Sequence, residues 1–183
     1  MNAGSAAVQW TSVWEDDVAD HEGITALLGR AFPRSRTPFT GARSWSSARP
    51  ELRLLGLLDS LPVAHVAVLR RFLQIGGHAQ LVGDVGLVAV DPGRHGSGLG
   101  AELLVRTRAE LAALEMPFGF LTCGEQVAGF YARGGWSRVD GPTRMVRADG
   151  EVQVYGGVSM ALAVSASSDA WPRGQIDRNG LEV

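Results

Sequence analysis

The stretch "VAVDPGRHGSGLG", Val88–Gly100, decides how the rest of the chain is read. Val88, Ala89 and Val90 suit a strand. Asp91-Pro92 ends it, and three glycines follow at a spacing of two, Gly96, Gly98 and Gly100. Leu99, Leu103, Leu104, Leu111 and Leu114 then share one face of a helix that Pro117 stops. A strand, a glycine loop and a helix start therefore meet at one corner. The first N–H groups of a helix have no partner within it, and glycine lets a ligand approach the backbone closely. Such a corner offers main-chain donors to a phosphate or pyrophosphate. The candidate donor-binding set is Val88, Ala89 and Val90 with Arg94, His95, Gly96, Ser97, Gly98, Leu99 and Gly100. No lysine follows the last glycine, so this is not a Walker loop, and the spacing does not match a dinucleotide fingerprint. A tight turn that holds no ligand is the competing reading of the glycines alone.

Working outward, the region before the corner reads as strands. Residues 63–72, "VAHVAVLRRF", and 79–90, "AQLVGDVGLVAV", are joined by a turn at Gly76-Gly77. Gly83 and Gly86 predict a bulge in the second of them. Residues 8–14 and 51–58 are further strand candidates. Residues 20–30 have helical spacing, and residues 33–40 form a loop. After the corner come a helix over 99–114, a strand over 118–123 and a helix over 126–133 closed by Gly134-Gly135. Residues 136–139 and 151–164 read as late strands, and 165–168 as a polar hinge. The pattern predicts an α/β fold with a mixed, mostly antiparallel sheet and flanking helices.

The chain has 183 residues, 45% of them apolar, enough for one sizeable core. Residues 1–7 read as a loose tail and 8–183 as a single domain, with 165–183 packing back near an acceptor cleft. A formal net charge of −2 argues against nucleic-acid binding. The one cysteine, Cys123, allows no internal disulfide and no zinc cluster. His21 and His78 are too scattered for a metal site. No signal peptide or membrane-length apolar run is present, so a cytoplasmic protein is expected.

The glycine corner resembles the acyl-CoA-binding loop of the GCN5-related N-acyltransferase superfamily, Gln/Arg-x-x-Gly-x-Gly/Ala after a strand. His95, Gly98 and Gly100 fall in that register, with His95 in place of the usual Arg or Gln. "GFYARGGW", Gly129–Trp136, resembles a second marker of that superfamily, in which the tyrosine lies beside the leaving thiol. The segments "RSWSSARPELR", "VAHVAVLRRF" and "WPRGQIDRNG" are similar to the NodA family of nodulation N-acyltransferases. More distantly, "YARGGWSRVDGPT" resembles aminoglycoside 2'-N-acetyltransferases.

The NodA resemblance implies transfer of an acyl group from acyl carrier protein to the free amine of a glucosamine oligosaccharide. The phosphopantetheine thioester, on acyl carrier protein or as acyl-CoA or acetyl-CoA, is then a co-substrate, and nothing is bound permanently. Direct attack by the amine needs a base, an oxyanion donor and an acid. The resemblance implies Asp84 as base. His65 is the alternative by its near-neutral reference pKa, with a satisfied core histidine as its rival. Main-chain N–H groups near Leu87–Ala89 fall to the oxyanion, and Tyr131 to the leaving sulfur. Simple packing beside Phe130 and Trp136 is the competing reading of Tyr131. Trp45, Arg49 and Trp171 are the acceptor-groove candidates, because aromatic faces and arginines suit sugars. The alternatives are an acetyl-CoA-dependent enzyme acting on an aminoglycoside or other small amine, and a non-catalytic acyl or CoA sensor. A filled gap between the central strands would favour the sensor.

Overall fold

The computed structural model describes residues 7–34, 39–41, 43–147 and 149–183. Most of the expected tail, and part of the expected 33–40 loop, lie outside these residues. Strand β1, Gln9–Trp14, precedes helix α1, His21–Ala31. The Asp20 carboxylate caps α1 by accepting from the Gly23 N–H at 2.8 Å. Strands β2, Leu52–Leu58, β3, Leu61–Ile75, and β4, His78–Val90, form an antiparallel meander. The β3–β4 turn needs positive φ at both central residues, +56° at Gly76 and +88° at Gly77, which is why glycine stands at each. Helix α2, Leu99–Ala113, leads to β5, Phe118–Cys123, and then to helix α3, Glu125–Arg133.

Four short strands follow: β6, Ser137–Arg138, β7, Thr143–Val146, β8, Val152–Val154, and β9, Val158–Ala163. Strand β10, Ile176–Leu181, comes last. The expected strand over 151–164 is thus two strands, interrupted at residues 155–157, and β7 had no counterpart in the sequence reading. The sheet runs β6-β9-β5-β4-β3-β10-β7-β8, with β2 also on β3 and β1 on β2. Strand β3 is long enough to share one edge, pairing β2 through Val68 and β10 at Gln74 and Ile75.

Helix α1 packs Ile24, Leu27 and Leu28 on one face of the sheet, against Leu55 and Ala89. Helices α2 and α3 cover the other face, where Leu103, Leu104 and Leu111 meet Leu54, Val66 and Val68. Leu54 and Leu55 are adjacent and point to opposite faces, as a strand buried on both sides requires. Among the described residues no helix is long and apolar enough to cross a membrane.

Two features of β4 shape the site. It is parallel to β5 only at Gly83↔Gly119 and Asp84↔Phe120, and the two strands part beyond that point. It also carries a bulge. Gly86 pairs with Ala67 and Ala89 with His65, so Leu87 and Val88 oppose the single residue Val66. The bulge thus falls just after Gly86. Leu87 takes φ +48°, a left-handed conformation that costs a non-glycine residue roughly 1–3 kcal/mol.

Candidate active site

The bulge is held by a buried polar chain. Arginine has only donors, so the 2.9 Å contact from Arg53 Nη1 makes His65 Nε2 an acceptor. The proton then sits on His65 Nδ1, which donates to the Leu87 carbonyl at 2.7 Å. Arg53 is anchored in turn by the Glu15 carboxylate and the Ser44 carbonyl. His65, Arg53 and Glu15 are all buried. Burial, reinforced by the Arg53 charge, pushes His65 down to about 3. A neutral imidazole with both nitrogens engaged cannot serve as the base. The His65 assignment is corrected: the residue positions the bulge.

This has a measurable pH signature. Below pH ~6.5 the unfolded chain protonates His65 while the folded chain does not, until pH nears 3. Stability is therefore expected to fall as pH drops through that window, with a slope approaching ~1.4 kcal/mol per pH unit from this residue. Replacing His65→Gln, which can keep one donor and one acceptor, should remove that slope. Denaturant unfolding of both proteins from pH 7 to 4 checks it, and parallel pH profiles would refute it.

Asp84 is corrected as well. It is fully buried, and Arg178 grips both oxygens, Nε to Oδ2 at 2.9 Å and Nη2 to Oδ1 at 2.7 Å. Arg71 Nε lies 3.1 Å from Oδ2. A carboxylate closed off in this way cannot meet a substrate amine.

Strands β4 and β5 part to form a cleft with two connected ends. The donor end is a cavity of about 460 Å³ lined by Val88, Ala89, Val90, Arg94, His95, Gly96 and Gly100, with Phe130 of α3 opposite. Gly96 and Gly98 take φ of +82° and +86°, and a Cβ at either would meet nothing within 4 Å, so the loop backbone is open to a ligand. Helix α2 begins at Gly98 with no side-chain cap. Its first N–H groups are left for an anion, and its dipole favours one. Gly100 lets α3 come close, since a Cβ there would sit 3.1 Å from the Phe130 ring. Ser97 is exposed and its Oγ donates within the loop to the Arg94 carbonyl at 2.8 Å, and the Leu99 side chain is in the core. Ser97, Gly98 and Leu99 do not line the cavity.

The other end is a cavity of about 790 Å³. Phe32, Phe39, Val85 and Leu87 give it an apolar wall. Thr122, Cys123, Tyr155 and Glu182 give it a polar one. Ala31, Phe32, Val88, Val127 and Tyr131 belong to both ends. Tyr131 stands edge-on to Phe130 and Trp136, at 5.2 and 6.1 Å between ring centroids. Burial pushes its phenol pKa well up, so it is a protonated donor at neutral pH. Cys123 shares this wall, and burial raises its thiol too, which makes it a poor nucleophile.

The structure does not bring the three acceptor candidates into the cleft. Trp171 packs edge-on to Phe118 and flat against Phe120, in a separate surface depression with Arg138 and Arg173. Within the segment 165–183, β10 is built into the sheet, and Glu182 and Val183 after it line the cleft. Trp45 stands between His21 and the Arg49 guanidinium. Arg49 pairs with Asp16 at 2.7 Å and approaches Glu15 at 3.7 Å. Neither lines the cleft, although the neighbouring Ser46 does. Residues missed from sequence are Phe32, Thr122, Tyr155 and Glu182. The signal for the last lay in "WPRGQIDRNG", where Arg178 stands four residues before Glu182.

The sequence profile of the family described as Nodulation protein A (NodA) matches residues 5–183. The chain is 34% identical over 194 residues to Nodulation protein A of Methylobacterium nodulans, covering 96% of this chain and 90% of that protein. It is also 34% identical over 196 residues to Nodulation protein A of Bradyrhizobium elkanii, covering 96% and 92%. Among solved structures, the GNAT family N-acetyltransferase YhbS from Escherichia coli in complex with CoA superposes with a TM-score of 0.66. That match has 17% identity and covers 97% of this chain and 92% of the other. An acyl-CoA N-acyltransferase from Pseudomonas aeruginosa gives 0.60 at 18% identity, covering 86% and 100%. These structural matches establish the fold.

Proposed function

The chain belongs to the Nodulation protein A family and has the GNAT fold, and from that premise we propose that it moves an acyl group from a phosphopantetheine thioester to the free amine of a glucosamine-containing saccharide. That it is an N-acyltransferase follows from the family. The donor carrier and the acceptor are our reading, with acyl carrier protein favoured. The observation that carries it is the cleft itself. It is open on both sides of Tyr131, from the glycine loop to an apolar and polar chamber of about 790 Å³. A side chain filling the gap between β4 and β5 would have favoured a non-catalytic sensor.

The donor's phosphate is assigned to the amides of Gly96 and Gly98 and of the first turn of α2, the Ser97 N–H being taken by the Arg94 carbonyl, with Arg94 and His95 at the exposed mouth. This part is common to CoA and to a carrier protein. The pantetheine arm runs along Val88–Val90 and places the thioester at the bulge. Beyond Asp84 the edge of β4 that faced β5 has lost its strand partner. Main-chain N–H groups near Leu87–Ala89 are then available to the oxyanion, and a rigid donor needs no reorganisation during the reaction. Tyr131, between the two ends, protonates the departing sulfur. The apolar wall of Phe32, Phe39, Val85 and Leu87 suits an acyl chain longer than acetyl.

The test pairs acetyl-CoA and long-chain acyl carrier protein with chitosan oligomers and aminoglycosides, read by product mass. Acylated chitosan oligomer formed from the carrier-protein donor is expected. Product formed only from acetyl-CoA and aminoglycosides would refute both the donor and the acceptor.

A further inference from the structure

With Asp84 and His65 sealed in the core, the amine proton still needs an acceptor. Glu182 is the only carboxylate side chain lining either end of the cleft among the described residues. We propose that Glu182 binds the ammonium group of the acceptor and takes its proton, an assignment that rests on the acceptor class given above.

The placement of Glu182 follows from the chain path. It comes directly after β10, and its carbonyl accepts from the Ala48 N–H at 2.7 Å. The next residue crosses β4 at Gly86, where a Cβ would sit 2.2 Å from the Val183 carbonyl oxygen. Strand β4 therefore carries no side chain there, and the segment after β10 brings the carboxylate instead. Thr122 Oγ1 donates to Glu182 Oε1 at 2.6 Å, and Arg178 Nη1 lies 3.4 Å from the same atom. Oε2 takes part in neither contact. The side chain is 41% exposed, whereas that of Asp84 is 0%.

The surrounding charges allow this role. Arg71 and Arg178 face Asp84 and Glu182, so the cluster has no net charge before a substrate arrives. The other titratable groups on this wall are Tyr131, Tyr155 and Cys123. Burial raises all three, so none is charged at neutral pH. Arg34, in the segment after α1, also lines this chamber, and among the described residues Glu182 is the one carboxylate side chain an incoming ammonium meets there.

The R–NH3+ group loses one proton to Glu182, and the nitrogen pair forms the N–C bond at the thioester carbon. The C–S bond then breaks, and the sulfur takes the Tyr131 proton. The second nitrogen proton returns to Tyr131, and Glu182 releases its own to solvent.

The experiment compares wild type with Glu182→Gln on two nucleophiles, a chitosan oligomer and hydroxylamine, using the same acyl donor. Hydroxylamine is neutral at the assay pH and needs neither an ammonium site nor a base to free its electron pair. For the chitosan oligomer, kcat/KM is expected to fall about 100-fold, and for hydroxylamine by less than about tenfold. Equal losses on both nucleophiles would mean a structural role and overturn the proposal, as would no loss on either. Wild type that acylates hydroxylamine but no amino sugar would overturn the acceptor class and this assignment together. An unchanged chitosan reaction in the variant would overturn this assignment alone.

Discussion

Replacing Tyr131→Phe is expected to lower kcat about 100-fold while leaving donor affinity within about twofold of wild type. The substitution removes one hydroxyl and keeps the ring that packs against Phe130 and Trp136. The donor's phosphate and pantetheine are held elsewhere, by the glycine loop and β4, so ground-state binding should not change. The magnitude is set at the low end of general-acid effects, because a thiolate already leaves more readily than an alkoxide or an amide nitrogen. Since burial raises the Tyr131 phenol, its role should also persist into alkaline solution, with no loss near the ordinary tyrosine range. Single-turnover rates and equilibrium binding of the acyl donor, measured separately, check this. An unchanged single-turnover rate would leave Tyr131 as packing alone.

The second large effect concerns stability. Replacing Asp84→Asn leaves Arg178, fully buried, and Arg71, partly buried, facing each other without the carboxylate that both approach. Breaking one side of a buried ion pair costs about 3–5 kcal/mol, because the remaining charge stays desolvated. For a domain of this size each kcal/mol shifts the melting temperature by about 2–4 °C, so a fall of roughly 6–20 °C is expected. A base exposed to substrate would behave differently, with turnover collapsing and the melting temperature nearly unmoved. That outcome would reinstate Asp84 as the base.

What could be read from sequence divides along physical lines. Local signals carried the glycine corner, α2, α3 and the β3–β4 hairpin, because each is set by neighbouring residues: the αL glycines, the leucine stripe and the Gly76-Gly77 turn. The bulge in β4 was anticipated from its glycines. What pins it, His65 to the Leu87 carbonyl, joins residues on two strands and leaves no mark in either. The Asp84 and His65 assignments failed for one reason. A titratable side chain in a strand reads the same whether it faces a cleft or a buried arginine, and only the packing of Arg178 and Arg53 decides. What the sequence did not show is that the tail holds a strand: Ile176 and Arg178 are buried, and residues 176–181 are β10, which brings Glu182 and Val183 to the cleft. Its alternation is too short, and its pairing too distant in sequence, to show in a periodicity.

The insertion of β10 between β3 and β7 bears on how the protein comes to work. Ile176 pairs with Ile75 and Thr143, partners far apart along the chain, and contacts of such high order form late in folding. The meander and its helices can consolidate while the acidic wall of the cleft is still missing. Opening this one short strand would withdraw Glu182 and at the same time pull Arg178 off the buried Asp84 carboxylate, a cost of the same kind as the Asp84→Asn substitution. Docking of β10 therefore completes the cleft and the buried ion pair in one event, and activity and compactness are expected to be lost together on heating.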